Sequence, residues 1–369
     1  MFSISRIQQV LQAVPRAGFD QIVERHSADR FSKGFGCWQQ LLAMVYVQLS
    51  GATSLRQVEA GFNAQPQQHY HLNARCVRRS TLAEANARRT PQVFAELLQL
   101  LIAQAGRNAR KQREELLYLL DATRVAPHGL EMKLHLLLEA DSHGVAHASI
   151  TPGNVNDITE ARKLTIESGA TYVFDRGYCH YNWWHEIDRK KARWVSRFKR
   201  DAALNYLAER TADPGIVRDS IVAFARRTPR GGHRNLYSTP LRRIEVQRPD
   251  AAPLVLATND LASPAVEIAA LYKRRWQIEL LFKWIKQHLQ IRRFVGRSEN
   301  AVRIQLLTAL IAYMLVLLLK AGSRFKGSQW MLLAQLRHSL FQRVRTEQSW
   351  WRRRRAELDH IALVQPLLL

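Results

Sequence analysis

The sequence predicts an α/β core carried between helical segments. Three observations predict it. Between residues 114 and 199, short apolar runs alternate with stretches of helical period, as expected when helices cover a sheet. Before residue 112 and after 295 the spacing of apolar residues is helical. Between 200 and 252, short alternating runs are broken by Gly and Pro, which suggests a β-rich insertion. With 369 residues, 47% of them hydrophobic, the chain can build two or three domains and a substantial core.

The elements follow in order. WQQLLAMVYVQLS (38–50) reads as a helix broken by Gly51, and SLRQVEAGF (54–62) as a second helix with Ser54 at its N-cap. Helix, short turn, helix is the outline of a helix-turn-helix, though many helical hairpins share it. In RCVRRSTLAEANARR (75–89), Thr81 and Glu84 have capping-box spacing, and Arg75, Arg78, Arg79, Arg88 and Arg89 surround the expected helix start. They form either a solvated basic face or a set of phosphate contacts. ELLYLLD (115–121) is a strand that stops at Asp121, and 133–153 holds two strands joined by a turn at 141–144. NDITEARKLTIES (156–168) is expected to be helical, TYVFD (171–175) a strand stopping at Asp175, 181–191 a helix and 192–199 a strand. PLVLATND (253–260) is a further strand. One long helix then starts at Ser263-Pro264, with Ser as N-cap and Pro in the first turn. The chain after 295 is expected to be helical to its end, including WWRRRRAEL at 350–358.

The formal net charge is +24, with a pI of about 10.7. Such a charge repels itself unless a polyanion is near, which puts nucleic acid first and an anionic membrane surface second. Cys37, Cys76 and Cys179 are widely separated and form no C-x-x-C pair. That argues against a disulfide framework or zinc cluster and fits a reducing cytoplasm. The N-terminus, MFSISRIQQVLQAVPRAGF, has no continuous apolar core, so no signal peptide is expected. LLTALIAYMLVLLL (306–319) is short of the roughly 20 residues that span a bilayer and reads as a buried core helix.

Asp121 and Asp175 each end an apolar run. At the carboxyl ends of neighbouring parallel strands they would converge on one crevice, repel, and call for a cation such as Mg²⁺. Alternatively each merely terminates its strand. Far downstream, LYKRRWQIELLFKWIKQHL (271–289) contains one acid, Glu279. Tyr272, Arg275, Glu279 and Lys286 fall within a helical stripe of roughly 60°. They could face one ligand, the Glu on a metal and the others on phosphate oxygens. Equally, Glu279 could pair with Arg275 or Lys283 on an ordinary helix. Spacing leaves both readings open.

Asp121, Asp175 within FDRGY, and Y-(2)-R-(3)-E-(6)-K at Tyr272, Arg275, Glu279 and Lys286 resemble the DDE transposases of bacterial insertion sequences, closest to the insertion-sequence-four type. HSADRFSKGF (26–35), STLAEANARR (80–89), ITPGNVND (150–157) and FVGRSENAVRIQ (294–305) also resemble that family, so the likeness covers most of the chain. The resemblance implies an α/β ribonuclease H-like catalytic core, interrupted by a β-rich insertion between the second Asp and the Glu. The boundaries are then a helical N-terminal DNA-binding region (1–112), a first core segment (113–199), the insertion (200–252), a second core segment (253–325) and a helical C-terminal region (326–369). The first Asp of the family is usually followed by two hydroxyl residues, and here by Ala122 and Thr123. Some relatives hold a flipped base on an aromatic; Trp194 and Phe224 are the residues to inspect for that role.

The implied activity is cut-and-paste transposition, with Asp121, Asp175 and Glu279 holding two Mg²⁺ ions that Mn²⁺ can replace. Their three negative charges nearly balance two divalent ions and leave room for a phosphate. Tyr272, Arg275 and Lys286, with Arg78 and Arg79, would contact DNA. The implied partners are double-stranded DNA, both transposon ends and target, with a homodimer on the DNA and no membrane. The implied location is the cytoplasm, at the nucleoid. Two other classes stay open: a ribonuclease H-like nuclease without strand transfer, and a decayed relative that only binds DNA.

Overall fold

The structure is a computed structural model that describes residues 4–110, 115–225, 234–249 and 251–344. Residues 350–358, expected to be helical, lie outside the described residues. Contacts divide the chain into two units, Met1–Leu97 with Phe294–Leu369, and Leu98–Arg293.

The chain opens with helices α1 (Arg6–Leu11), α2 (Arg16–Arg25), α3 (Cys37–Ser50), α4 (Leu55–Asn63), α5 (Pro66–Leu72), α6 (Arg79–Arg88) and α7 (Gln92–Arg110). Then come β1 (Leu117–Val125), β2 (Met132–Glu139), β3 (Val145–Pro152), α8 (Asp157–Ala161), β4 (Thr171–Phe174), α9 (Tyr181–Arg189) and β5 (Arg193–Arg197). β6 (Leu204–Glu209), β7 (Ile216–Phe224), β8 (Leu241–Arg248) and β9 (Ala251–Thr258) follow, then α10 (Ala265–Arg274), α11 (Trp276–His288), α12 (Glu299–Ala321) and α13 (Gln329–Ser339).

In the first unit α3 and α12 are the core. Gly51 ends α3 in the left-handed region, and Ser298 caps α12. α12 is the one described helix long and apolar enough to cross a membrane, and 78% of its most apolar window is buried inside the protein. Three of the family-like stretches meet at Arg89. Its guanidinium donates to Gln40 Oε1 (3.1 Å), Ser32 Oγ (2.7 Å) and the Phe35 carbonyl. Asn300 donates to the Ala87 and Arg89 carbonyls. Arg89 is thus a structural tie rather than a surface cation. Arg88 pairs with Glu84, so both arginines sit at the far end of α6 and not around its start. The cap differs too: Arg78, not Thr81, precedes α6. Asn63 bonds both backbone groups of Val77 at 2.8 Å, and the chain is released into helix only after that clamp.

The second unit is built on a nine-stranded sheet of order β3-β2-β1-β4-β5-β9-β8-β7-β6. β1, β4 and β5 are parallel neighbours, while β1-β2-β3 and β5-β9-β8-β7-β6 pair antiparallel. The strands after residue 200 therefore extend the same sheet, and β9 runs across the expected 252/253 boundary. One face of the sheet buries an aromatic cluster. Tyr118, Tyr172, Phe174 and Trp194 come from the strands, and Trp183 and Trp184 from α9, with Trp184 and Trp194 centroids 4.2 Å apart. Trp194 is fully buried there, so it has no face to offer a base.

The helix expected over 156–168 stops at Ala161. The Glu167 N–H instead donates to Tyr172 Oη, and the Glu167 carboxylate binds Arg110 and Tyr118 Oη. These bonds hold the segment in a non-helical path.

Candidate active site

Strand alternation decides what faces what. β1 and β4 pair in register through Leu120 and Phe174, so Asp121 and Asp175 occupy the next level. Neighbouring strands are about 4.8 Å apart, and in-register parallel residues point to one face. β4 and β5 pair through Val173 and Val195, which puts Arg197 level with Asp175. Asp121, Asp175 and Arg197 thus form a row across three strands, on the face opposite the aromatic cluster.

The expectation that Asp121 ends its strand is corrected. β1 continues to Val125, paired with β2 alone once β4 has ended. Asp121 marks the loss of the parallel neighbour, and its carboxylate, 22% exposed, sits in mid-strand. Asp175 does leave its strand. It caps a single 3-10 turn, its Oδ1 accepting the Gly177 N–H, while Ser196 Oγ donates to its carbonyl. A Cβ at Gly177 would lie 2.9 Å from that Oδ1, so a larger residue there would have to displace the carboxylate.

The expected single helix over 263–289 is two, α10 and α11, joined at Arg275. Arg275 keeps right-handed helical angles, and its N–H bonds the Tyr272 carbonyl three residues back, a local tightening of the helix. The expected caps also shift. Asp260 takes both the Ser263 N–H and hydroxyl, so Pro264 becomes the N-cap of α10. The entry to α10 is pinned from the later strands: Arg242 forms a bidentate pair with Asp219, each side chain 1% exposed, and also donates to the Ser263 carbonyl. Asp213 Oδ2 receives the Ala265 N–H.

So held, the α10–α11 pair lays its charged stripe over the row. Arg275 Nη2 is 2.6 Å from Glu279 Oε1, and Nη1 is 3.9 Å from Asp121 Oδ2. The Arg275 guanidinium lies 5.8 Å from the Tyr272 ring. Lys286 Nζ donates to Thr123 Oγ1 at 2.6 Å, and Thr123 shares the Asp121 face. Burial raises the Tyr272 phenol, with Arg275 and Arg197 pulling it back and Asp175 adding to it. Burial lowers the Lys286 ammonium, and nearby Arg292 adds to that.

The Asp121 carboxyl is lifted from 3.8 to about 6. Burial is the largest cause; the Ala122 N–H and Arg275 oppose it, while Asp175 and Glu279 add to it. Asp121 therefore senses both of the other carboxylates. Their all-oxygen donors suit a hard divalent cation, which would relieve that repulsion. Among the described residues, however, no three His, Cys, Asp or Glu side chains are drawn close enough to hold one ion together. Arg275 stands between Asp121 and Glu279.

Arg197 escaped the sequence reading because no motif marks it; only the strand register aligns it with the acids. Trp276, next in sequence to Arg275, is 58% exposed. Phe224, the other residue to inspect, packs its ring 4.1 Å from that of Tyr181. Arg78 and Arg79 are exposed at the start of α6 and belong to the other unit.

Comparison with known proteins identifies the family. Residues 113–315 match the Transposase DDE domain, and residues 3–75 match a domain of unknown function (DUF4372). The chain is 44% identical over 252 residues to the candidate transposase y4zB of Sinorhizobium fredii (strain NBRC 101917 / NGR234), covering 64% of this chain and 69% of that protein. It is 27% identical over 269 residues to the candidate transposase for insertion sequence element IS4SA of Synechocystis sp. (strain ATCC 27184 / PCC 6803 / Kazusa), covering 68% and 74%. Membership of the family implies a DNA substrate and dependence on a divalent metal. With more than half of its length matched, the chain belongs to the DDE transposases of insertion sequences and is an enzyme of that class.

Proposed function

We propose that this transposase moves its insertion sequence by cut and paste, using a ribonuclease H-like core made of β1–β5 with α8–α11. The observation that carries the reading is the row of Asp121 and Asp175 at one level of two parallel strands, with Glu279 above it. The domain limits of the sequence reading, with 200–252 as the insertion, belong to this proposal. So do a homodimer on the DNA and a nucleoid location.

Asp121, Asp175 and Glu279 would hold two Mg²⁺ ions, which when bound activate a water or a DNA 3′-hydroxyl and stabilise the leaving oxygen. Arg275, Lys286 and Arg197 supply charge-assisted donors to the phosphates on either side of the reacting bond. Tyr272, nine-tenths buried with its ring beside Arg275, backs that guanidinium. Arg78 and Arg79 add phosphate contacts in the other unit, which serve affinity rather than chemistry.

The test uses a duplex carrying the inverted repeat that flanks the gene. Asp121→Ala, Asp175→Ala and Glu279→Ala should each abolish Mg²⁺-dependent cleavage and joining while still shifting the duplex in a gel. A variant that cuts at the wild-type rate removes that residue from the site. Wild-type protein that cuts without joining would be a nuclease instead.

A further inference from the structure

We propose that Arg275 is an exchange counter-ion: it neutralises Glu279 until a divalent cation takes that carboxylate, and is then released to a DNA phosphate. The inference rests on the functional reading above and adds a coupling between metal and DNA.

Three observations carry it. First, Arg275 Nη2 lies 2.6 Å from Glu279 Oε1, an oxygen that a cation would need. Among the described residues no other cation comes within 4 Å of Glu279. Lys286 is engaged with Thr123, Lys283 is exposed and makes no described ion pair with Glu279, and Arg197 lies level with Asp175 two strands from Asp121. Second, the guanidinium is poorly used where it is. Nη1 is 3.9 Å from Asp121 Oδ2, beyond hydrogen-bond reach, and Nε is buried with no acceptor among the described residues. A buried donor without an acceptor is costly, and a phosphate offers oxygens to both edges of the fork. Third, Arg275 lies at the joint between α10 and α11, and is 17% exposed. Its side chain can turn from one acceptor to another without leaving the site.

Metal and Arg275 therefore compete for one carboxylate, whereas metal and phosphate do not compete for Arg275. Cation binding frees the guanidinium for the DNA end, and by linkage a bound end favours the cation.

The experiment titrates Mn²⁺ into the full-length protein without DNA, following free Mn²⁺ by electron paramagnetic resonance. Arg275→Gln should bind Mn²⁺ about tenfold more tightly than wild type, the size expected when one charge-assisted bond no longer competes. Lys286→Gln removes the same charge from the same helix but not from a carboxylate, and should change Mn²⁺ affinity by less than about twofold. Saturating Mn²⁺ should tighten wild-type binding to the end duplex, and Arg275→Gln should lose that coupling. Arg275→Lys, which keeps one contact, should fall between; it also answers for the proposal if the Gln variant unfolds, as judged by its melting midpoint. Unchanged or weaker Mn²⁺ binding by Arg275→Gln overturns the exchange, as does an equal gain in Lys286→Gln. If wild type cuts end DNA but Arg275→Gln binds Mn²⁺ no better, the exchange fails alone. If wild type binds Mn²⁺ but cuts with no divalent cation, the functional reading fails alone. Wild type that binds no Mn²⁺ refutes both.

Discussion

Asp121→Asn should stabilise the protein at neutral pH even as it destroys activity. The Asp121 carboxyl is lifted from 3.8 to about 6, so the fold holds its proton more tightly than the unfolded chain does. Such a group contributes stability that is fully present below about pH 4 and lost as pH rises through about 6. At pH 8 the carboxyl is ionised in both states, and the fold carries that charge at a cost, its side chain 22% exposed and two like charges nearby. A shift of this size corresponds to about 3 kcal/mol at pH 8, roughly half of that at pH 5 and under about 1 kcal/mol at pH 4. Asparagine has the shape of the protonated acid and no charge. In urea unfolding with a chelator present, the Asp121→Asn variant should exceed wild type by about 1–3 kcal/mol at pH 8, and the two curves should converge by about pH 4. Mg²⁺ should then raise wild-type stability more than that of the variant. Equal stability at pH 8, or a gain that does not shrink with acid, would refute the claim that burial, with the neighbouring carboxylates adding to it, sets this carboxylate.

Other outcomes follow from the same geometry. Arg197→Ala should weaken end binding by about tenfold and slow joining while leaving the melting midpoint near wild type, because it removes a phosphate donor and no described ion pair; a gel shift and a joining assay check this. Gly177→Ala should slow cleavage far more than it weakens DNA binding, since its Cβ would push on Asp175 Oδ1 at 2.9 Å; equal losses in both assays would argue for a general folding defect. Binding to non-specific duplex should fall steeply between low and physiological salt, each phosphate contact adding about −0.9 to the log–log slope. A flat titration would assign the +24 charge to another partner.

The order of strands and helices was legible because period-2 and period-3.6 patterns are local. So were the Ser54 and Gly51 helix boundaries, set by the side chain or backbone freedom of one residue. What was not legible depends on partners distant in sequence. Asn63 moves the start of α6, Tyr172 takes the Glu167 N–H out of any helix, and Asp260 takes the Ser263 hydroxyl. The charged stripe of 272–286 was visible from helical spacing. Whether Glu279 met Arg275 or the aspartates was not, and it meets Arg275 directly while lying within electrostatic reach of Asp121. Arg197 was invisible because its place follows from register across three strands, and no spacing within one segment encodes that.

Register also bears on a departure from the family pattern, Ala122 in place of a hydroxyl residue after the first Asp. Position 122 pairs with His135 and, by alternation, shares the face of Tyr118 and Leu120 rather than that of Asp121. A hydroxyl there would point through the sheet, away from the acids. What residue 122 gives the site comes from its backbone: its N–H donates to Asp121 Oδ1 at 2.8 Å, a bond that any residue but proline can make. Thr123 lies on the Asp121 face and accepts Lys286 Nζ, so the hydroxyl that can influence the site is the one retained. The alanine therefore removes no side-chain contact from the acids. The chemistry is better judged by whether Thr123 keeps Lys286 aimed at the row, because that bond ties the end of α11 to the strand that carries the first carboxylate.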